Sequence, residues 1–269
     1  EQFQDPFYYL KHQLLFGVLP GIAAFFVFSK LDYRLWKRHS VLLAVIVLIL
    51  LFSVFIPGVG VSFGHARSWL RLGPLVFQPS EFAKLLFIMA SAGLLTLMRD
   101  VSVIKKRKAL ITLGIFLVIA IVLLAREPDT GGAAVFAGTA IAMYFLAGGA
   151  LAYIVGAGTA GAALLFILAK ASPYRAARLT TFLHPELDPQ GIGYHINQAL
   201  LAIGSGGLLG VGLGHSRQKF QYLPEVIGDS IFAVIGEELG FLVTAGLVVL
   251  FLALIARAVK IALGADDFG

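Results

Sequence analysis

Cysteine is absent from the 269 residues, so neither a disulfide framework nor a thiolate metal site is available, and the redox compartment leaves no trace. Charge is scarce. Asp, Glu, Lys and Arg make up 13% of the chain against 59% hydrophobic residues, and the mean hydropathy is +0.90. That scarcity excludes an ordinary soluble domain, which needs more polar surface to face water. No internal repeat is visible. The glycines around 204–214 lack the preceding strand and the βαβ unit that a nucleotide-binding loop requires. The histidines of the long loop lack metal-site spacing and read as polar loop residues. The net charge is +6, but the basic residues fall between apolar runs, where membrane topology explains them, so nucleic acid is not an expected partner. The chain begins with Glu1 rather than Met and carries no signal peptide, which reads as a fragment.

What is present is a series of apolar runs of roughly 17–25 residues, each able to cross about 30 Å of hydrocarbon. They lie near 12–29, 40–57, 82–98, 109–125, 132–148, 150–169 and 230–256. Three connections are strongly basic: Lys30, Arg34, Lys37 and Arg38; Arg99, Lys105, Lys106, Arg107 and Lys108; Arg257 and Lys260. With seven alternating spans all three fall on one side, which the positive-inside rule makes cytoplasmic. Residues 58–81, 126–131 and 170–229 then lie outside. The fold class is all-α, a polytopic transmembrane bundle with a large extracytoplasmic loop. Gly156, Gly158 and Gly161 in the sixth run are expected to allow close helix packing.

The outer segments hold the polar residues. In 58–81, read as a loop, Gly73-Pro74 marks a turn, and Trp69 suits an interfacial belt. Pro79 opens a helix whose first turn carries Glu81 near the positive end of its dipole, with Lys84 three residues on as an ion-pair partner. In Arg126-Glu127-Pro128-Asp129-Thr130, Asp129 or Thr130 can cap the fifth span, but capping alone does not need Arg126 and Glu127 as well, which puts function or long-range structure slightly ahead of a simple cap. A loop of about 60 residues such as 170–229 is uncommon and usually functional. Its middle, Ala199 to Gly214, is apolar and Gly-rich, suggesting a re-entrant or interfacial piece. Arg217 and Lys219 are placed to grip a phosphate or to remain solvated cations. Asp229 enters the last span and on position alone reads as its N-cap. Glu237 and Glu238 follow about 12 Å deeper, about 100° apart, so each needs its own partner.

Arg67-Ser-Trp69, Phe77-Gln-Pro-Ser-Glu81 with Lys84, Gly193-Tyr194, Gln198, Ala202-Ile-Gly-Ser-Gly-Gly207, Gln218-Lys219, Tyr222-Leu-Pro-Glu225, Asp229, Ile231-Phe-Ala233 and Glu237-Glu-Leu-Gly240 together resemble the SEDS proteins of shape, elongation, division and sporulation. Gln218-Lys219 followed by Gln221-Tyr-Leu-Pro-Glu225 is more similar to the division branch, FtsW, than to the elongation branch, RodA. The chain resembles the second to eighth of that family's ten spans. It departs at Gly228-Asp229-Ser230, where Thr-Asp-Phe is common, and at Glu127-Pro-Asp-Thr-Gly-Gly132, where Gln-Pro-Asp-Leu-Gly-Thr is common.

The resemblance implies a peptidoglycan glycosyltransferase of the bacterial cytoplasmic membrane, at the division septum, polymerising lipid II. Asp229 would be the catalytic residue, as general base or as ligand to a divalent cation (Mg²⁺ or Mn²⁺); no organic cofactor is implied. Arg67, Lys84, Gln198, Arg217, Lys219 and Glu225 would bind substrate, with Trp69, Glu81, Asp129, Glu237 and Glu238 in structural or supporting roles. Implied partners are a class B penicillin-binding protein, other division proteins and membrane lipid. Two other functions fit the same polar residues: a transporter or flippase of lipid-linked precursor, and a non-catalytic division scaffold.

Overall fold

The computed structural model describes residues 7–63, 66–73, 75–96, 103–127, 129–170, 180–181, 184, 187–191, 193–220, 222–224, 226 and 228–264, with backbone alone at 62–63, 66–67, 72, 75, 103–106, 160 and 162–170. Each apolar run contains a helix. The long helices are α1 (Tyr8–Lys30), α3 (Ser40–Ser53), α4 (Pro79–Thr96), α5 (Val103–Arg126), α6 (Thr130–Leu146), α7 (Leu151–Lys170) and α9 (Ile231–Leu263); two shorter ones are α2 (Arg34–Arg38) and α8 (Tyr194–Ser205). Tyr8–Lys30, Arg107–Arg126 and Ile231–Leu263 are long and apolar enough to cross a membrane, and Ser40–Ser53 and Thr130–Leu146 are shorter apolar helices. The second run ends its helix at Ser53 rather than 57. Pro57 disfavours helix at the residue before it, and Gly58 takes φ +83° in the turn beyond.

The chain forms two compact units, one reaching Val155 and the other running from Gly156 to Asp267. In the first, helical periodicity selects the core. Leu43, Ala44, Val47 and Leu51 of α3, Ala83, Phe87, Ala90 and Leu94 of α4, and Leu113, Phe116, Ala120 and Leu124 of α5 are buried at steps of three and four residues. Phe87 sits at the centre, its ring 5.0 Å from Phe116 and 4.6 Å from Phe136 of α6. A Cβ on Gly93 would crowd the Ser40 side chain, so that glycine permits the close contact of α3 with α4. The opposite faces are just as apolar: Val41, Ile49 and Phe52 on α3 and Ile111, Ile115, Val118 and Val122 on α5 are exposed.

The segment 58–81 is not the plain loop expected. It folds as an antiparallel sheet of β1 (Gly60–Phe63), β2 (Ala66–Leu72) and β3 (Leu75–Phe77), in the order β1-β2-β3. Leu72 pairs with Leu75, so the chain reverses between them, with Gly73 at φ +63°. Ser68 and Leu70 alternate inward. That period of two is the strand signal that the glycines and proline around it obscured. The small-residue face of α7 also differs from expectation. A Cβ on Gly156, Gly158 or Gly161 meets nothing within 4 Å among the described residues. Small side chains permit close approach but do not by themselves supply a partner helix.

In the second unit α8 packs on the start of α9 through Ala202, Ala233 and Val234, with Leu223 completing the cluster. The region 170–229 is therefore not loop throughout. Leu208, Leu209 and Leu213 beyond α8 are strongly exposed.

Candidate functional site

The last long helix is broken. Gly240 takes φ 77°, ψ −178° in the middle of α9, a conformation that only glycine adopts without strain. In an unbroken helix the Phe241 and Leu242 N–H groups would bond to the Glu237 and Glu238 carbonyls. Instead the Glu237 and Glu238 carbonyls accept from Val211 N–H at 2.9 Å and Gly212 N–H at 3.0 Å, while Phe241 N–H and Leu242 N–H donate to Gly207 and Leu208 carbonyls at 2.9 and 3.3 Å. The glycine-rich segment thus satisfies the four backbone groups that the break exposes, as apolar surroundings demand. A Cβ on Gly206 would overlap the Gly236 carbonyl, and one on Gly210 the Glu238 carbonyl. Gly206 and Gly210 therefore serve backbone contact with α9.

The same docking gives both glutamates the separate partners that their positions required. Glu237 accepts from Ser216 Oγ at 2.5 Å, Arg217 N–H at 2.9 Å and Gln218 N–H at 3.4 Å. Glu238 accepts from Ser216 N–H at 3.3 Å and pairs with Lys219 Nζ at 2.5 Å. Lys219 also lies over the Phe220 ring, 5.1 Å from its centroid. Its charge is directed to Glu238 rather than outward, whereas the Arg217 side chain is exposed.

Asp229 sits on the turn before α9 and is exposed. It does not cap the helix, contrary to the reading from position alone. The N-cap residue is Ser230, and no side chain makes a capping bond. The Ser230 hydroxyl instead donates to the Pro224 carbonyl at 2.7 Å and lies 2.7 Å from His195 Nε2. His195 is thus no bare loop residue: it is half-buried on α8, on the face shared with half-buried Gln198 and buried Ala202 at helical spacing. Sequence reasoning passed over it because its partner lies 35 residues away. Glu225, expected to bind substrate, lies outside the described residues.

In the first unit Lys84 pairs with Glu81, Nζ to Oε2 2.8 Å, across the first turn of α4. Trp69 is half-buried in β2, where Arg67 contributes a backbone position. Asp129 caps α6, accepting from Gly132 N–H at 2.7 Å. Beside it, Glu127 is 1% exposed, and neither carboxylate oxygen has a hydrogen-bond partner among the described residues. Burial and the Asp129 carboxylate push its carboxyl up to about 8. Among the described residues no three His, Cys, Asp or Glu gather to hold a metal ion.

Helices that are apolar both toward their core and toward the outside, with charges gathered at helix ends and against a mended helix break, define a multi-pass membrane protein. The chain belongs to the family of FtsW, RodA and SpoVE described as "Cell cycle protein", which matches residues 1–268. Stage V sporulation protein E of Bacillus subtilis is 42% identical over 99% of this chain and 72% of its own length. The probable peptidoglycan glycosyltransferase FtsW of Trichlorobacter lovleyi is 40% identical over 99% of this chain and 70% of its own. Among solved structures, one titled "Structural coordination of polymerization and crosslinking by a peptidoglycan synthase complex" superposes with a TM-score of 0.71 at 25% identity, covering 98% of this chain and 73% of that one. The rod shape determining protein RodA of Thermus thermophilus gives 0.61 at 26% identity, covering 98% and 69%.

Proposed function

We propose that this chain is a peptidoglycan glycosyltransferase that polymerises lipid II, with Asp229 as the general base. Kinship carries the activity: relatives of about 40% identity over nearly the whole chain bear that name. The observation that carries the residue is that Asp229 is an exposed carboxylate with no capping role at the entrance of the last long helix. A lipid-anchored sugar is presented at such an entrance, whereas Glu237 and Glu238 are fully engaged by 216–219. Asp229 takes the proton of the acceptor 4-hydroxyl as that oxygen attacks the donor anomeric carbon. The bond from that carbon to the pyrophosphate breaks, and its electron pair leaves with the lipid pyrophosphate, whose charge Arg217, an exposed cation, would meet. A Mg²⁺ or Mn²⁺ has no cage among the described residues. Asp229 is the residue that would hold such an ion, which would supply positive charge toward the pyrophosphate, and the steps above do not pass through it. The setting of this reading is the bacterial division septum, with a class B penicillin-binding protein and other division proteins as partners.

The break in α9 favours a second reading, transport of a lipid-linked precursor, because broken helices line transporter sites. The four backbone groups it frees are already paired with 207–212, so the protein mends the break itself rather than leaving it open to a cargo. Purified protein given lipid II in detergent separates the two readings, since polymer forms there and transport cannot. Asp229→Asn is expected to lower polymerisation about 100-fold or more with folding retained. Polymerisation near the wild-type rate would remove Asp229 as the base and turn attention to Glu225, Asp129 and Glu127.

A further inference from the structure

We infer that His195 is a positioning residue for Asp229, acting through Ser230 to hold the turn that carries the carboxylate. The inference rests on the reading of Asp229 as the base.

The donor and acceptor roles follow from proton counting. The Pro224 carbonyl can only accept, so the single hydroxyl proton of Ser230 goes to it. Ser230 Oγ then has only lone pairs for His195, and the 2.7 Å contact requires a proton on Nε2. The neutral Nε2–H tautomer and the imidazolium both carry that proton, so the link survives protonation of the ring. Ser230 is 2% exposed, and a broken link would leave its hydroxyl short of a partner away from water.

The placement of the hydroxyl is informative. A serine at the N-cap ordinarily turns its oxygen to the N–H groups of the helix's first turn, a bond worth about 1 kcal/mol. Ser230 holds the N-cap position of α9 and forgoes that bond. Its hydroxyl instead joins the two ends of the segment 224–230 to each other and to the first turn of α8. Asp229 lies inside that segment, next to the tied residue, and its exposed side chain has no anchoring hydrogen bond among the described residues. Its place relative to a substrate therefore depends on its neighbour. An error of about 1 Å in a reacting group lowers the rate by up to about 100-fold.

A simple structural tether would change stability and leave the chemistry per folded molecule untouched, so kcat, KM for lipid II and thermal midpoint are measured together on the full chain. Ser230→Ala and His195→Ala are each expected to lower kcat by about ten-fold or more, with KM within about two-fold and only a modest fall in the midpoint. His195→Gln, which keeps an N–H donor of similar reach, and Ser230→Thr, which keeps the hydroxyl, are expected to retain most of the rate. The double alanine variant is expected to be no worse than the poorer single, because one link is lost once. Should His195→Ala fail to fold, Ser230→Ala and the comparison of His195→Gln with non-donating His195→Phe decide the same question. A wild-type kcat in Ser230→Ala and His195→Phe, with Asp229→Asn inactive, would overturn the positioning role alone. A lowered midpoint with unchanged kcat would reduce the link to a tether. An active Asp229→Asn would overturn the reading of Asp229 itself, and the positioning role with it.

Discussion

Lys219 and Glu238, 19 residues apart in sequence, form an ion pair with Nζ 2.5 Å from Oε1, their side chains 23% and 11% exposed. One partner lies on the loop and the other on the first half of the broken helix, so the pair fastens the loop where the chain most needs it. Removing one partner of a well-buried pair strands a charge, whereas removing both together is often close to neutral.

Lys219→Met is expected to destabilise by about 1–3 kcal/mol, since it leaves Glu238 unpaired in an apolar setting. Lys219→Met/Glu238→Gln, which keeps an acceptor for Ser216 N–H, is expected to recover most of that loss. Thermal midpoints of the two variants in one detergent check this. Equal losses in both would show that the pair carries little.

Gly240→Ala and Gly206→Ala are expected to destabilise by roughly 2–5 kcal/mol. Both would press a Cβ into the neighbouring backbone, and Gly240 also needs its positive φ. Gly204→Ala makes the contrast: a Cβ there meets nothing within 4 Å on α8, so it should be neutral or stabilise by about 0.5–1 kcal/mol. Folded yield and thermal midpoint of the three variants test the ordering.

Glu127 makes stability depend on pH between about 4.5 and about 8. Its folded value of about 8 stands above the ordinary 4.5, so the folded protein holds a proton that the unfolded chain releases. That contribution is complete below about 4.5, declines as pH rises and is lost by about 8, amounting to a few kcal/mol at about 1.4 kcal/mol per unit. The thermal midpoint of wild type minus that of Glu127→Gln should fall between pH 5 and 8 and then level off. A flat difference would mean that Glu127 is ionised when folded.

The basic connections predict that 170–229 faces the outer side. A cysteine at Gln190, which is exposed, should react with an impermeant thiol reagent on intact cells, permeabilised only at an outer membrane if one is present. Labelling only after lysis would invert the topology.

The sequence by itself determined where the helices run, because seven long apolar runs meet a physical demand that holds residue by residue. It also determined the local features: the start of α4 at Pro79, and the Glu81–Lys84 pair and the Asp129 cap, each of which joins residues three apart. The sheet at 60–77 was present in the alternation of Ser68 and Leu70 but hidden among turn residues. What only the tertiary structure decided are the pairings across 19 to 35 residues. Lys219 turns to Glu238, Ser230 turns to His195 instead of capping its helix, and the glycines at 206–212 lie along a break at Gly240. A one-dimensional pattern records propensity and period; it does not record which distant donor reaches a buried acceptor first, and that competition settles the role of each polar residue around Asp229.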